Sequence, residues 1–270
     1  MDLCKAVEFV RSAGNEVEQA RLKYLLTNEH PAQDAVNKLF SEQRSDGGWS
    51  PFWAQDYSSL DATCFWLAQA EQMGLTGSET AIMRAVDFLA GRQSLDGSWE
   101  EDKEIASFAP TWARPGDLSA RLYLTANCGL WLALFGDTDR VALKAANYLQ
   151  LHLNQGGHLP SYLHTHWLAG GLWYRLGWYK SAERVFEYLD TQMPDLDASH
   201  LSWLIMTVCA AGSPPDYPLV DKAASLLEQS QQDDGRWPSE DGPGQDVHST
   251  LEALRALWLC GWITKLDSMI

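Results

Sequence analysis

The chain is predicted to be all-α, a closed α/α barrel of about twelve helices. Three observations predict it: helical periodicity along the whole chain, a loop motif that recurs at intervals, and alternation of apolar with amphipathic helices. The loop motif occurs in LFSEQRSDGGW (39–49), LAGRQSLDGSW (89–99) and LEQSQQDDGRW (227–237), each reading Leu-x3-Gln-x2-Asp-Gly-x-Trp. Leu and Gln four apart share one face of a last helical turn. Asp-Gly then ends the helix, because Gly accepts a left-handed cap, and the Trp packs back. Weaker echoes stand at NQGGHLP (154–160) and TQMPDLD (191–197).

The periodicity places helices at about 2–13, 16–27, 31–43, 58–73, 78–92, 118–136, 138–153, 161–176, 179–191, 196–211, 217–231 and 246–262. In each pair one helix is apolar throughout, such as LSARLYLTANCGLWLALF, and belongs inside; its partner, such as KAANYLQLHL, carries charge on one face and belongs outside. The last inner helix lacks a following partner. Helix 2–13 is expected to fill that place and close the ring, which makes residues 1–270 a single domain.

Composition narrows the function. Of the 270 residues, 36 are Asp or Glu and 20 are Lys or Arg, giving a formal charge of -16 that repels phosphate backbones and excludes nucleic acid as a partner. No stretch reaches the roughly 20 apolar residues of a transmembrane segment, and the N-terminus has no signal-peptide core, so a cytoplasmic location is expected. Five scattered cysteines read as buried thiols rather than a disulfide framework. Thirteen Trp among 30 aromatic residues call for an organising role.

The Gln-x2-Asp-Gly-x-Trp loops at Gln43–Trp49, Gln93–Trp99 and Gln231–Trp237 resemble the QW repeats of squalene–hopene and oxidosqualene cyclases, the class II terpene cyclases, and more distantly those of protein prenyltransferase β subunits. The resemblance implies an α6–α6 barrel. That family carries an Asp-x-Asp-Asp-Thr motif whose middle Asp protonates an isoprenoid double bond or epoxide. The stretch Asp195-Leu196-Asp197-Ala198-Ser199 is the match in the order of motifs towards the C-terminus, which implies Asp197 as the acid and Asp195 as its neighbouring carboxylate. Ala198 replaces the third Asp. The supporting histidine of hopene cyclases falls at Thr250, with His248 two residues earlier.

Polar residues gather where the inner helices begin: Asp61 and Thr63, Asp117 and Ser119, His164 and His166, Asp195 and Asp197, Asp246 and His248. Such positions also suit plain N-capping. In a barrel they share one rim, so Asp197, Asp195, His248 and Asp246 form the candidate catalytic set. Aromatic faces stabilise a carbocation without quenching it, which makes Trp66, Tyr123, Tyr162, Trp167 and Trp203, with Asp61, the candidate substrate-binding set. The repeat tryptophans 49, 99 and 237 read as packing. The resemblance to protein prenyltransferases implies a zinc set of Asp61, Cys64 and His248, but their Asp-x-Cys reads Asp61-Ala62-Thr63 here, and Cys64, one residue late, is turned by about 100° from the ligand direction, which disfavours it. Neither metal nor cofactor is expected.

These readings make the chain a terpene cyclase-like protein that binds an isoprenoid or prenylated apolar molecule and starts cyclisation by protonation. The alternative is a non-catalytic barrel that binds isoprenoid or protein; a carbohydrate-active barrel is a third. With Arg114, Arg121 and Arg175 as the cations near the rim, an uncharged polyene, epoxide or prenylated aromatic fits better than a diphosphate. A second copy or a partner protein is expected to cover the mouth, since an open aromatic cavity is an exposed apolar patch.

Overall fold

The computed structural model describes residues 1–136 and 139–263. Among them are twelve α-helices: α1 (Leu3–Ala13), α2 (Glu16–Thr27), α3 (Gln33–Phe40), α4 (Leu60–Gln72), α5 (Thr80–Gly91), α6 (Leu118–Phe135), α7 (Asp139–His152), α8 (Leu163–Arg175), α9 (Tyr179–Gln192), α10 (Ala198–Ala210), α11 (Pro218–Gln229) and α12 (Asp246–Leu259). Each falls within its predicted span to a few residues; the predicted start of α7 at 138 lies outside the described residues. Short 3-10 turns at Lys103–Ile105, Thr111–Ala113, Met193–Asp195 and Pro243–Gln245 complete the helical content. Three residues are below the length at which periodicity registers.

By contact the chain forms two compact units, one of residues 1–39, 72–74 and 190–270, the other of 40–71 and 75–189. In the second unit α6 is the core, with every residue from Leu122 to Leu132 buried and α7 and α8 packed on it. In the first, α10 packs on α11 and α12, and α12 on α1 and α2. Helix starts follow local chemistry. Asn15 and Glu18 form a reciprocal capping box at α2, and Asp2, Asp117 and Asp197 cap α1, α6 and α10.

The repeated loops share one construction. The Asp side chain accepts the N–H two residues on, Gly48, Ser98 or Arg236, and the Gly takes φ 96°, 94° or 94°. A Cβ at Gly47 or Gly97 would stand 2.3 or 2.5 Å from the carbonyl oxygen of Arg84 or Lys144, so glycine is required twice over. The Trp N–H donates to Thr63, Thr125 or Thr250 Oγ1. The Gln amide donates to the Gly carbonyl of its own loop and to the carbonyl of Ala81, Val141 or Asp2, at the start of α5, α7 or α1.

Residues 154–159 are a fourth copy, with Gly157 at φ 79° and the Leu159 N–H given to His166 Nε2 at 3.0 Å. The echo at 191–197 lacks the Gly and forms the 193–195 turn instead. Thus α1 meets the 231–237 loop as α5 meets the 43–49 loop and α7 the 93–99 loop. We propose on this contact that α1 serves as the outer helix of the last repeat. Deleting residues 1–13 is then expected to lower the melting temperature by 10 °C or more, on the order of 2 kcal/mol for a unit this size; calorimetry of the truncated chain showing an unchanged transition would refute it.

Candidate active site

Asp61 lies in the first turn of α4. Its Oδ1 accepts the Tyr123 hydroxyl at 2.5 Å and its Oδ2 accepts the Trp112 indole N–H at 3.2 Å. Tyr123 is held in turn from its own helix: Asn127 Nδ2 donates to the Tyr123 oxygen at 3.2 Å, and Trp131 Nε1 to Asn127 Oδ1 at 3.1 Å. These three residues are spaced by four, one stripe of α6. Because Asn127 occupies a lone pair of the phenol, the Tyr123 hydrogen is left for Asp61. Burial raises the proton affinity of Asp61, with Tyr123 and Trp112 pulling the other way. Burial and the Asp61 charge keep Tyr123 a neutral phenol.

An aromatic cluster adjoins this carboxyl. His164 sets its ring edge-on to Tyr123 at 4.6 Å, stacks on Tyr162 at 5.3 Å and approaches Trp167 at 6.1 Å. Four of the predicted substrate-binding residues, Asp61, Tyr123, Tyr162 and Trp167, therefore come together. Trp66 stacks instead on Trp49 at 6.2 Å and on Phe65 edge-on at 5.6 Å, as packing. Trp203 is half-buried on α10.

A second carboxyl reaches α4 from the loop after Trp99. Glu101 is buried and accepts the Ser59 hydroxyl at 2.7 Å, the Leu60 N–H at 2.9 Å and the Tyr57 hydroxyl at 2.8 Å. Burial pushes its pKa up to about 7, against the pull of those donors. Cys64 and Cys128 sit 3.8 Å apart, Sγ to Sγ, and burial holds both as neutral thiols.

The structure gives Asp197, His248 and Asp246 of the predicted catalytic set partners of their own. Asp197 is the N-cap of α10: Oδ1 accepts the His200 N–H at 2.9 Å and Oδ2 meets His200 Nδ1 at 2.8 Å. Those bonds and the imidazole charge outweigh desolvation and draw the carboxyl down to about 2, an anion where a proton donor is needed. Asp195 is exposed in the 193–195 turn.

His248 supports neither of them. Its Nδ1 meets buried Arg21 at 3.2 Å and its Nε2 meets Glu252 at 3.2 Å, and this cation and imidazole hold Glu252 ionised near 2. Asp246 is buried, paired with Arg236 at 2.9 Å and accepting the Ser239 N–H. Ligand atoms of Asp197, His200 and Glu240 lie within 4.8 Å of one another, a spacing that would admit a cation, though hydrogen bonds among the three account for it.

One sequence signal could have found Asp61 as an acid. Ser59-Leu60-Asp61-Ala62-Thr63 keeps the middle Asp and the Thr of Asp-x-Asp-Asp-Thr, whereas 195–199 keeps two Asp and ends in Ser. Two matched positions each leave the sequence undecided; the partners separate them, neutral Tyr123 and Trp112 for Asp61 against His200 for Asp197.

Residues 17–166 match the family described as the squalene-hopene cyclase C-terminal domain. A squalene–hopene cyclase of Zymomonas mobilis is 21% identical over 225 residues, 76% of this chain, and the match spans 29% of that enzyme's length. Among solved structures, type II terpene cyclase MstE from Scytonema, as a variant in complex with geranylgeranyl dihydroxybenzoate (substrate), superposes with a TM-score of 0.62 at 15% identity, covering 98% of this chain and 96% of that one. A protein from Actinoplanes gives 0.58 at 17%, covering 91% and 90%. The fold is thus the α/α fold of type II terpene cyclases, as the repeated loops predicted. With the family matched over more than half of its length, the chain belongs to the squalene-hopene cyclase C-terminal domain family.

Proposed function

We propose that the chain is a class II terpene cyclase that takes an isoprenoid or prenylated apolar substrate and starts cyclisation by proton transfer from Asp61. The observation that carries this reading is the Asp61 carboxyl itself, desolvated, raised in proton affinity and bordered by aromatic rings. Protonating an alkene needs a loaded acid in a dry site and no nucleophile nearby. Asp61 gives its proton to one alkene carbon or to the epoxide oxygen, and positive charge develops on the adjoining carbon. The Tyr123 hydroxyl and Trp112 N–H then stabilise the carboxylate left behind, while the ring faces of Tyr123, Tyr162 and Trp167 stabilise the cation. The charge ends by loss of a proton from the carbon skeleton or by capture of water.

The substrate class follows from charge. Arg121 is already paired with Glu100, so an uncharged prenyl chain, free or attached to an aromatic ring, suits the site better than a diphosphate. MstE has been captured with geranylgeranyl dihydroxybenzoate as substrate and with merosterolic acid A as product, which makes a prenylated aromatic the first compound to test.

The experiment incubates wild type, Asp61→Asn and Asp197→Asn with geranylgeranyl dihydroxybenzoate and a panel of prenyl alcohols and epoxides, with mass spectrometry for cyclic products that are isomeric with their substrates or heavier by one water. Wild type and Asp197→Asn are expected to form one cyclic product at rates within about threefold, since Asn still caps a helix, and Asp61→Asn none. Cyclic product from Asp61→Asn at the wild-type rate would overturn the assignment. Ligand retained equally by all three without product would favour the non-catalytic barrel.

A further inference from the structure

The motif around Asp61 lacks two carboxylates: Ser59 stands at its first Asp and Ala62 at its third. Glu101 delivers a carboxylate to the same helix start from a loop some forty residues on. Its Oε1 accepts both Ser59 Oγ and the Leu60 N–H, one residue before Asp61. The bonding of Tyr57 defines the charge state. The Tyr57 oxygen accepts from Arg92 Nη2 and from the Asp102 N–H, both at 3.0 Å, so its own hydrogen points to Glu101 Oε2. Three donors converge on Glu101 at a helix N-terminus, an arrangement that suits an anion.

We propose that Glu101 is the positioning residue of Asp61, supplying across the start of α4 the second carboxylate that positions 59 and 62 do not carry, so that the pair holds one proton and Asp61 keeps it. This rests on the reading of Asp61 as the acid. Like charges at close range do not ionise together, so the two carboxyls share one proton, and three donors on Glu101 against two on Asp61 make Asp61 its holder. The coupling is reciprocal: burial is the main cause that raises the proton affinity of Glu101, and the charge of an ionised Asp61 adds to it in the same direction. Glu101 also borders a polar cavity of about 650 Å³ lined by Glu100, Asp102 and Arg121. The other groups facing the pair are settled in charge. Tyr123, Cys64 and Cys128 are held neutral by burial, and Arg92 is the cation, shared with Tyr57 and Asp102.

The test is carboxyl 13C NMR of the free protein, labelled at Asp and Glu and titrated without substrate, with Asp61→Asn and Glu101→Gln assigning the two resonances. The wild type is expected to titrate in two coupled steps. In Glu101→Gln, which keeps an acceptor for Ser59 and Leu60, the Asp61 midpoint falls by about one pH unit and becomes a single step. Ser59→Asp added to Glu101→Gln restores the charge at the helix start and brings the midpoint back, which a purely structural role for Glu101 does not predict. An Asp61 midpoint unchanged in Glu101→Gln overturns the proposal.

If Glu101→Gln does not fold, Tyr57→Phe leaves both carboxylates and removes one donor from Glu101. It is expected to lower the Asp61 midpoint in the same direction, and no movement there overturns the proposal equally. In a cyclase assay the alkaline limb of kcat moves down with the midpoint while KM holds. Shifted midpoints with no cyclisation of any substrate would overturn the functional reading and leave the pair standing; cyclisation by Asp61 with unshifted midpoints would do the reverse.

Discussion

Asp61→Asn is expected to remove cyclisation altogether, a loss of at least about 1,000-fold in kcat, at a cost in stability of only about 1 kcal/mol. The side chains are isosteric, so Asn still accepts one of the two donors, from the Tyr123 hydroxyl or the Trp112 indole. The other donor then faces an amide N–H. A hydroxyl can turn and an indole cannot, so the amide oxygen goes to Trp112 and the Tyr123 hydroxyl turns its hydrogen away, its oxygen accepting from the amide N–H. What vanishes is the labile proton, for which no neighbour substitutes: Tyr123 is a far weaker acid, and the Cys64 thiol is pushed up by burial. Circular dichroism and the melting temperature, measured beside product formation, separate lost chemistry from lost fold. Asp197→Asn gives the complementary result, because it removes the charge that holds His200 and leaves Asp61 untouched.

Acid is expected to weaken the protein through His166. This ring is buried on α8; its Nε2 accepts the Leu159 N–H at 3.0 Å and its Nδ1 faces the carbonyls of Tyr162 and Leu163 at 3.0 and 3.1 Å. The ring is a neutral tautomer with its hydrogen on Nδ1, and protonating Nε2 would set two hydrogens against each other. Desolvation lowers the folded-state pKa to about 4, from the ordinary 6.5. Between those values the unfolded chain binds more protons than the folded one, so stability falls as pH drops from about 6.5 to 4, by up to about 3 kcal/mol. Asp197, depressed to about 2 from 3.8, adds its own loss below pH 4. His200, raised by Asp197, acts oppositely, and its stabilisation is complete below 6.5 and fades as pH rises through its folded value. Glu101, raised to about 7 from 4.5, and Asp61, also raised by burial, act oppositely as well: the folded chain takes up their protons first, so they add stability as pH falls through the same window. Urea unfolding of wild type and His166→Gln, whose amide oxygen still accepts from Leu159, at pH 7, 5.5 and 4.5 isolates the histidine: the stability of wild type relative to the variant should fall between 6.5 and 4, and a difference that does not change with pH would assign the effect elsewhere.

The helices were legible because their cause is local. An apolar stripe, a capping Asp or Asn and a closing Gly all lie within one helix, and α2 with its Asn15–Glu18 box and left-handed Asn28 is read directly from residues 15–28. The repeated loops were legible for the same reason. The acid was not, because a carboxyl's proton affinity depends on what surrounds it in space. Asp61 and Asp197 both stand before an apolar run in a partial motif, and what separates them is Tyr123, 62 residues away, against His200, three residues away. Glu101 was invisible for the same reason: it caps a helix that begins 41 residues before it.

The seating of α1 on the 231–237 loop bears on how the chain comes off the ribosome. Asp2 and Gln231, which exchange two hydrogen bonds, are 229 residues apart, so their contact is among the most non-local in the molecule. The unit of residues 40–71 and 75–189 has all its parts once residue 189 has cleared the exit tunnel. The other unit emerges with α1 to α3 first and must wait for α10 to α12. During synthesis the apolar faces of those early helices lack their partners, including the Trp237 loop, for the time it takes to add some two hundred residues, on the order of 10–40 s. The order of synthesis therefore makes the N-terminal helices the segment most in need of protection by a chaperone, and the last to gain protection from hydrogen exchange.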